Sequence, residues 1–187
     1  DICFVTTAST GNAVDFGNIS LARQLDDTCE SPTRCVLIAG IKGGPYVAYN
    51  TNEYITTSTT GNTADFGDLS QNRFVGGSGS SRTRGIFMGG DPGPSSRLDD
   101  IDFITIASTG NATDFGDLTV ARGHGCGTSN QTRCCMMGGS AQSGNQDVID
   151  FITTASTGNA VDFGNLIEAT EHAAGASSPT RGLVGGG

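Results

Sequence analysis

Phe103-Ile104-Thr105-Ile106-Ala107-Ser108-Thr109-Gly110-Asn111-Ala112-Thr113-Asp114-Phe115-Gly116-Asp117-Leu118-Thr119 is the stretch whose reading decides the fold. Apolar and polar residues alternate over Phe103–Ala107, the period of a half-buried strand. Gly110 and Asn111 tolerate positive φ, so Ser108–Asn111 reads as a tight turn. Ala112–Leu118 reads as the return strand, with Phe115 as its large apolar side chain. After Arg122 comes a strand of small residues, Gly123–Thr128, then a polar turn to Arg133 and the apolar run Cys134–Met137, which stops at Gly138-Gly139.

The same wording recurs along the chain. Thr-Gly-Asn occurs four times, with its glycine at Gly11, Gly61, Gly110 and Gly158, at spacings of 50, 49 and 48 residues. The second phrase recurs in step, its Thr-Arg pair ending at Arg34, Arg84, Arg133 and Arg181. Three copies carry another arginine eleven residues earlier, at Arg23, Arg73 and Arg122, where the fourth has Thr170. The chain is therefore a tandem array, with copies at about 1–50, 51–99, 100–147 and 148–187. Short β-forming runs separated by Gly, Asn and Asp place it in the all-β class. Four short antiparallel strands per ~50 residues is the pattern of a propeller blade, which buries its faces only against neighbouring blades.

The double glycine after an apolar strand (Gly89-Gly90, Gly138-Gly139), the following hairpin and an arginine beyond it resemble the kelch motif. Phe16, Phe66, Phe115 and Phe163 replace the kelch tryptophan, and the first copy has Ala39-Gly40 instead of Gly-Gly. The phrase ITIASTGNATDFGDLT, with its following AR, TRG-type and GG elements, resembles repeats in virion structural and tail-fibre-like proteins of marine tailed bacteriophages. The resemblance covers all four copies. It implies a kelch-like β-propeller of four-stranded antiparallel blades, either a closed four-blade ring or part of a larger ring. The chain opens on a third strand and closes on a second, so first and last segments are expected to share a blade if one chain closes the ring.

The chain has 187 residues, a net charge of −9 and few bases, which argues against a nucleic-acid backbone binder. No apolar run reaches the ~18 residues of a membrane helix. The Asp-Phe-Gly acids Asp15, Asp65, Asp114 and Asp162 are not a kinase site, because no glycine-rich loop, strand lysine or HRD-type loop accompanies them. Four equivalent acids read as structural, accepting hydrogen bonds from a turn or a repeated arginine. Arg34, Arg84, Arg133 and Arg181 likewise read as fixing turns or joining blades. No Walker-type loop is present. The acids Asp99, Asp100 and Asp102 lack calcium-loop spacing. Six cysteines without a CxxC pair, and His124 and His172 alone, make a zinc site unexpected. Cys29 with Cys35, and Cys126 with Cys134 or Cys135, flank polar turns and are candidates for cross-strand disulfides; the competing reading is small buried thiols. Asn18, Asn111 and Asn130 begin glycosylation sequons. A Cys126–His124 nucleophile lacks an orienting third group.

The loops after the double glycine differ between copies, and repeat proteins commonly bind through such loops. Lys42, Tyr46, Asp91, Ser95, Arg97, Gln142 and Asn145 are the candidate ligand contacts. The expectation is a non-enzymatic binding and structural module of a phage virion appendage, extracellular, contacting host-surface glycan or neighbouring virion proteins. No cofactor, metal, nucleic acid or membrane insertion is expected. The alternatives are a purely architectural, self-associating fibre protein and, behind it, a propeller polysaccharide hydrolase or lyase, which needs a distinctive acid pair.

Overall fold

The computed structural model describes residues 1–24, 27–43 and 46–187. Its regular structure there is all β, and every ladder is antiparallel. β1 (Ile2–Phe4) and β2 (Val14–Gly17) form a two-stranded sheet. β3 (Asp27–Glu30) and β4 (Arg34–Ile38) lead to a small hairpin of β5 (Gly40–Lys42) and β6 (Val47–Tyr49). β7 (Thr51–Thr56) and β8 (Ala64–Asp68) then complete a sheet in the order β3-β4-β7-β8. β9 (Gly77–Ser80), β10 (Arg84–Gly90), β11 (Leu98–Thr105) and β12 (Thr113–Asp117) form the next. β13 (Cys126–Ser129) and β14 (Arg133–Met137), the small hairpin β15 (Ser140–Ala141) with β16 (Gly144–Asn145), and β17 (Val148–Thr153) with β18 (Val161–Asn165) repeat the plan. β19 (Ala174–Ser177) and β20 (Gly182–Gly185) form a last two-stranded sheet. Each four-stranded sheet takes two strands from one copy of the sequence phrase and two from the next.

The Asp-Phe-Gly phrase encodes a β-bulge. Asp102 pairs with Asp114 and Ile101 with Gly116, so Phe115 is the extra residue on β12. The same irregularity leaves Phe16, Phe66 and Phe163 extra on their strands. A bulge bends the strand and re-aims a side chain. Phe66 and Phe115 thereby enter the two cores, at 1 % and 3 % exposure. The glycine after each phenylalanine has positive φ (143° at Gly116). A Cβ on Gly116 would overlap the carbonyl of Gly158, and one on Gly67 would overlap that of Gly110.

That contact corrects the reading of Thr-Gly-Asn. The strand predicted over Phe103–Ala107 runs Leu98–Thr105, and the turn begins at Thr105, whose carbonyl accepts from Ser108 N at 3.1 Å. Gly110 and Asn111 lie past that turn and reach the preceding sheet. Gly110 N donates to Phe66 O (2.7 Å) and Ala112 N to Asp68 O (2.7 Å), while Asn111 Oδ1 accepts from Asp68 N (3.0 Å). The next copy repeats this with Gly158, Ala160 and Asn159 on Phe115 and Asp117. The two phrases recur together because each is half of one joint.

The cores lie between sheets. Val36, Ile38 and Phe66 of one sheet pack against Phe87 and Ile104 of the next, and Ile86, Met88 and Phe115 pack against Cys134, Met136 and Ile152. The small-residue strands β3, β9, β13 and β19 follow one another with very close backbone approach; a Cβ on Gly127 would overlap Ser78 backbone atoms. Full burial of the large residues is confined to the middle of the array. At its last four-stranded sheet Val161 is 57 % and Phe163 56 % exposed, and at the first end Val5 and Val14 are exposed.

The expected latch between first and last segments is not formed: β1–β2 and β19–β20 pair only within themselves. The all-β, antiparallel, repeated architecture stands; closure into a four-blade ring within this chain is not observed among the described residues.

Candidate functional site

Three buried polar clusters recur, at the first three of the four passages from sheet to sheet. Arg122 and Asp150, both fully buried, form an ion pair at 2.8 Å. Arg122 also donates to Gly138 O (2.9 Å) and Met136 O (3.3 Å), and Thr119 donates to Asp150 through both Oγ1 (2.7 Å) and N (3.1 Å). Arg73, Asp102 and Ser70 repeat the set, with the ion pair at 2.5 Å, and Arg23, Glu53 and Ser20 repeat it at 3.0 Å. Burial pulls the Arg73 and Arg23 guanidinium groups below their ordinary value, an effect opposed by Asp102 and Glu53 respectively. Each cluster ties the segment between two sheets to the third strand of the following sheet. The three acids are buried against arginine and hydroxyl donors, so they work as clamps.

The arginine partner is therefore not the Asp-Phe-Gly acid. Asp114 and Asp162 are exposed and accept from the backbone N–H of Gly116 (3.1 Å) and Gly164 (2.9 Å), a turn-type bond within the bulge. Asp15 and Asp65 occupy the same exposed position. The acids that matter, Glu53, Asp102 and Asp150, were legible as a column one residue before each Tyr-Ile-Thr or Phe-Ile-Thr, where the first copy has Cys3.

The second set of arginines joins sheets from another side. Arg34 lies 4.5 Å from the Tyr54 ring centroid and donates to Ile106 O (3.0 Å) in the next sheet. Arg84 lies over Phe103 at 4.5 Å and donates to Thr154 O (2.8 Å). Arg133 covers Phe151 at 4.7 Å, and Arg181 is exposed.

The variable loops present the remaining candidates. Lys42, Tyr46, Ser95, Gln142 and Asn145 are exposed and Arg97 is half-buried. Gly44 and Pro45 of the first loop lie outside the described residues. Asp91 departs from expectation: it is buried, with Arg97 at 2.9 Å and His124 at 3.2 Å. The second and third loops brace each other, Gln142 Nε2 donating to Ser95 O (2.6 Å) and Arg97 Nε to Ser140 O (3.0 Å).

All six cysteines are free. Cys29 stands opposite Val36 and Cys35 opposite Glu30, and Cys126 stands opposite Met137, so neither candidate disulfide has directly facing partners. Burial pushes the Cys29, Cys126 and Cys134 thiols up, away from the reactive thiolate. His124 sits at positive φ (57°) outside β13, with its ring 4.3 Å from that of His172. Among the described residues no three His, Cys, Asp or Glu side chains group as metal ligands, and Asp102 of the acidic run is the partner of Arg73.

Neither a protein-family model nor a curated protein sequence matches this chain.

Proposed function

We propose that this chain is a non-enzymatic binding and structural module of an extracellular assembly, of the phage-appendage kind that its repeated phrase resembles, with its sheets acting as blades of a kelch-like propeller arrangement. One observation carries the reading. Arg23, Arg73 and Arg122 with their acids hold sheet to sheet, whereas most side chains that differ between copies are exposed on loops, of which the second and third brace each other. A fixed frame with a variable rim is how repeat proteins separate folding from recognition. The rim offers amide and hydroxyl groups with one lysine, a lining suited to the hydroxyls of a carbohydrate.

The test is a glycan array and a host-adsorption assay with the wild-type chain and a Lys42→Ala/Gln142→Ala/Asn145→Ala variant. Binding that the variant loses at unchanged melting temperature supports the reading. Absence of binding to any glycan or host, or binding indifferent to the loops, sinks it. Chain cleavage of an acidic polysaccharide would bring the enzyme reading back.

A further inference from the structure

The two ends of the array are the two halves of one sheet. β1–β2 match the third and fourth strands of each complete sheet, and β19–β20 match the first and second. We propose that the partner of this chain is a second copy of itself, joined head to tail, with β20 of one copy pairing antiparallel with β1 of the next.

The register is set by the three internal pairings. Arg34 faces Thr56, Arg84 faces Thr105 and Arg133 faces Thr153. At the junction Arg181 faces Thr6, Leu183 faces Phe4 and Val184 faces Cys3. The exposed Arg181 then covers Phe4, as Arg34, Arg84 and Arg133 cover Tyr54, Phe103 and Phe151. Gly11 N meets Phe163 O, as Gly110 N meets Phe66 O and Gly158 N meets Phe115 O, and Phe163 becomes buried like its equivalents.

The buried polar cluster points the same way independently. It comprises a hydroxyl, an arginine and an acid: Ser20, Arg23 and Glu53; Ser70, Arg73 and Asp102; Thr119, Arg122 and Asp150. The fourth set is Ile167, Thr170 and Cys3. All three members are replaced together, although the first two lie at one end of the chain and the third at the other. Losing one member alone would bury an unpaired charge; losing all three leaves a neutral junction. A junction with another standard repeat would set an unpaired acid against Thr170, or an unpaired arginine against Cys3. Ile167 and Thr170 are thus matched to Cys3.

The receiving groove is open. It runs between Leu166–Thr170 and Val184–Gly187. One repeat earlier, Arg122 reaches the Met136 and Gly138 carbonyls directly and pairs beside them with Asp150 of β17. Thr170 Oγ1 already donates to Gly186 O (3.3 Å), as Arg122 does to Gly138 O. In this structure β1 pairs only with β2, which leaves the groove free to take β1 of another copy.

The experiment is Val184→Cys in the 187-residue chain, oxidised at two protein concentrations and run on a non-reducing gel, beside light scattering of the unmodified chain. Disulfide-linked dimers or longer ladders that vanish with Cys3→Ser, absent from the out-of-register Leu183→Cys variant, are expected, as is a mass at least twice that of one chain. A disulfide formed within one chain, or a monomeric mass with no Cys3-dependent product, overturns the proposal. Neither result depends on whether the loops bind a glycan.

Discussion

Arg122 shows how much rests on one side chain. Arg122→Ala leaves Asp150 charged and buried without its partner, which typically costs about 3–5 kcal/mol. Replacing the whole cluster by Thr119→Ile, Arg122→Thr and Asp150→Cys, the set already present at the chain ends, is predicted to recover most of that loss in urea unfolding. If the triple variant is as unstable as the single one, the clamp is not a self-contained unit. Phe115→Ala is predicted to cost about 3–5 kcal/mol, as expected for a buried aromatic. Phe163→Ala, at 56 % exposure, should cost far less in the separated chain. Equal costs would contradict the position of the cores. Cys29 and Cys134 are held neutral by burial, so the unfolded chain releases protons that the folded chain keeps. Stability is therefore present below the ordinary thiol value of 9.0 and falls as pH rises through it. Unfolding measured between about pH 8 and pH 10 should show that fall, reduced in Cys29→Ala/Cys134→Ala relative to the same variant at the lower pH.

The elements were only partly legible. Period-two alternation located the strands around Phe103, Phe115 and Cys134, and small residues marked β13. The function of Thr-Gly-Asn was not legible, because Gly and Asn are equally suited to a hairpin turn and to close backbone approach, and sequence does not say which neighbour arrives. The bulge at Asp-Phe-Gly was hidden for a similar reason: one extra residue does not disturb a short apolar pattern. The acid column Glu53, Asp102 and Asp150 was visible, but its pairing with Arg23, Arg73 and Arg122 needed the register of strands about thirty residues apart. Gly116→Ala separates the two roles of glycine. In the separated chain its methyl group would overlap Gly158, so it should destabilise more than Gly164→Ala, which has a similar φ (135° against 143°) but nothing within 4 Å of the added carbon. Equal effects in thermal melts would mean that backbone strain alone decides, and that the joint between sheets is not tight.

At the scale of the molecule, the repeat makes stability a matter of neighbours. The first two four-stranded sheets are each covered by the sheet that comes after, and the apolar surface left over lies on Val5, Val14, Val161 and Phe163. Array proteins whose terminal units end the stack usually carry polar outer faces. Here the terminal faces are apolar, and the edge strands β1 and β20 carry no cover, the arrangement that invites strand addition. Head-to-tail self-association is tested most directly by the mass of the 187-residue chain in solution, from light scattering across a range of concentrations, beside Phe163→Asp. Wild-type masses well above 19.0 kDa that rise with concentration or hold at a closed multiple are predicted, with a variant that stays folded at 19.0 kDa. A wild-type chain that is folded, compact and 19.0 kDa at every concentration would contradict it.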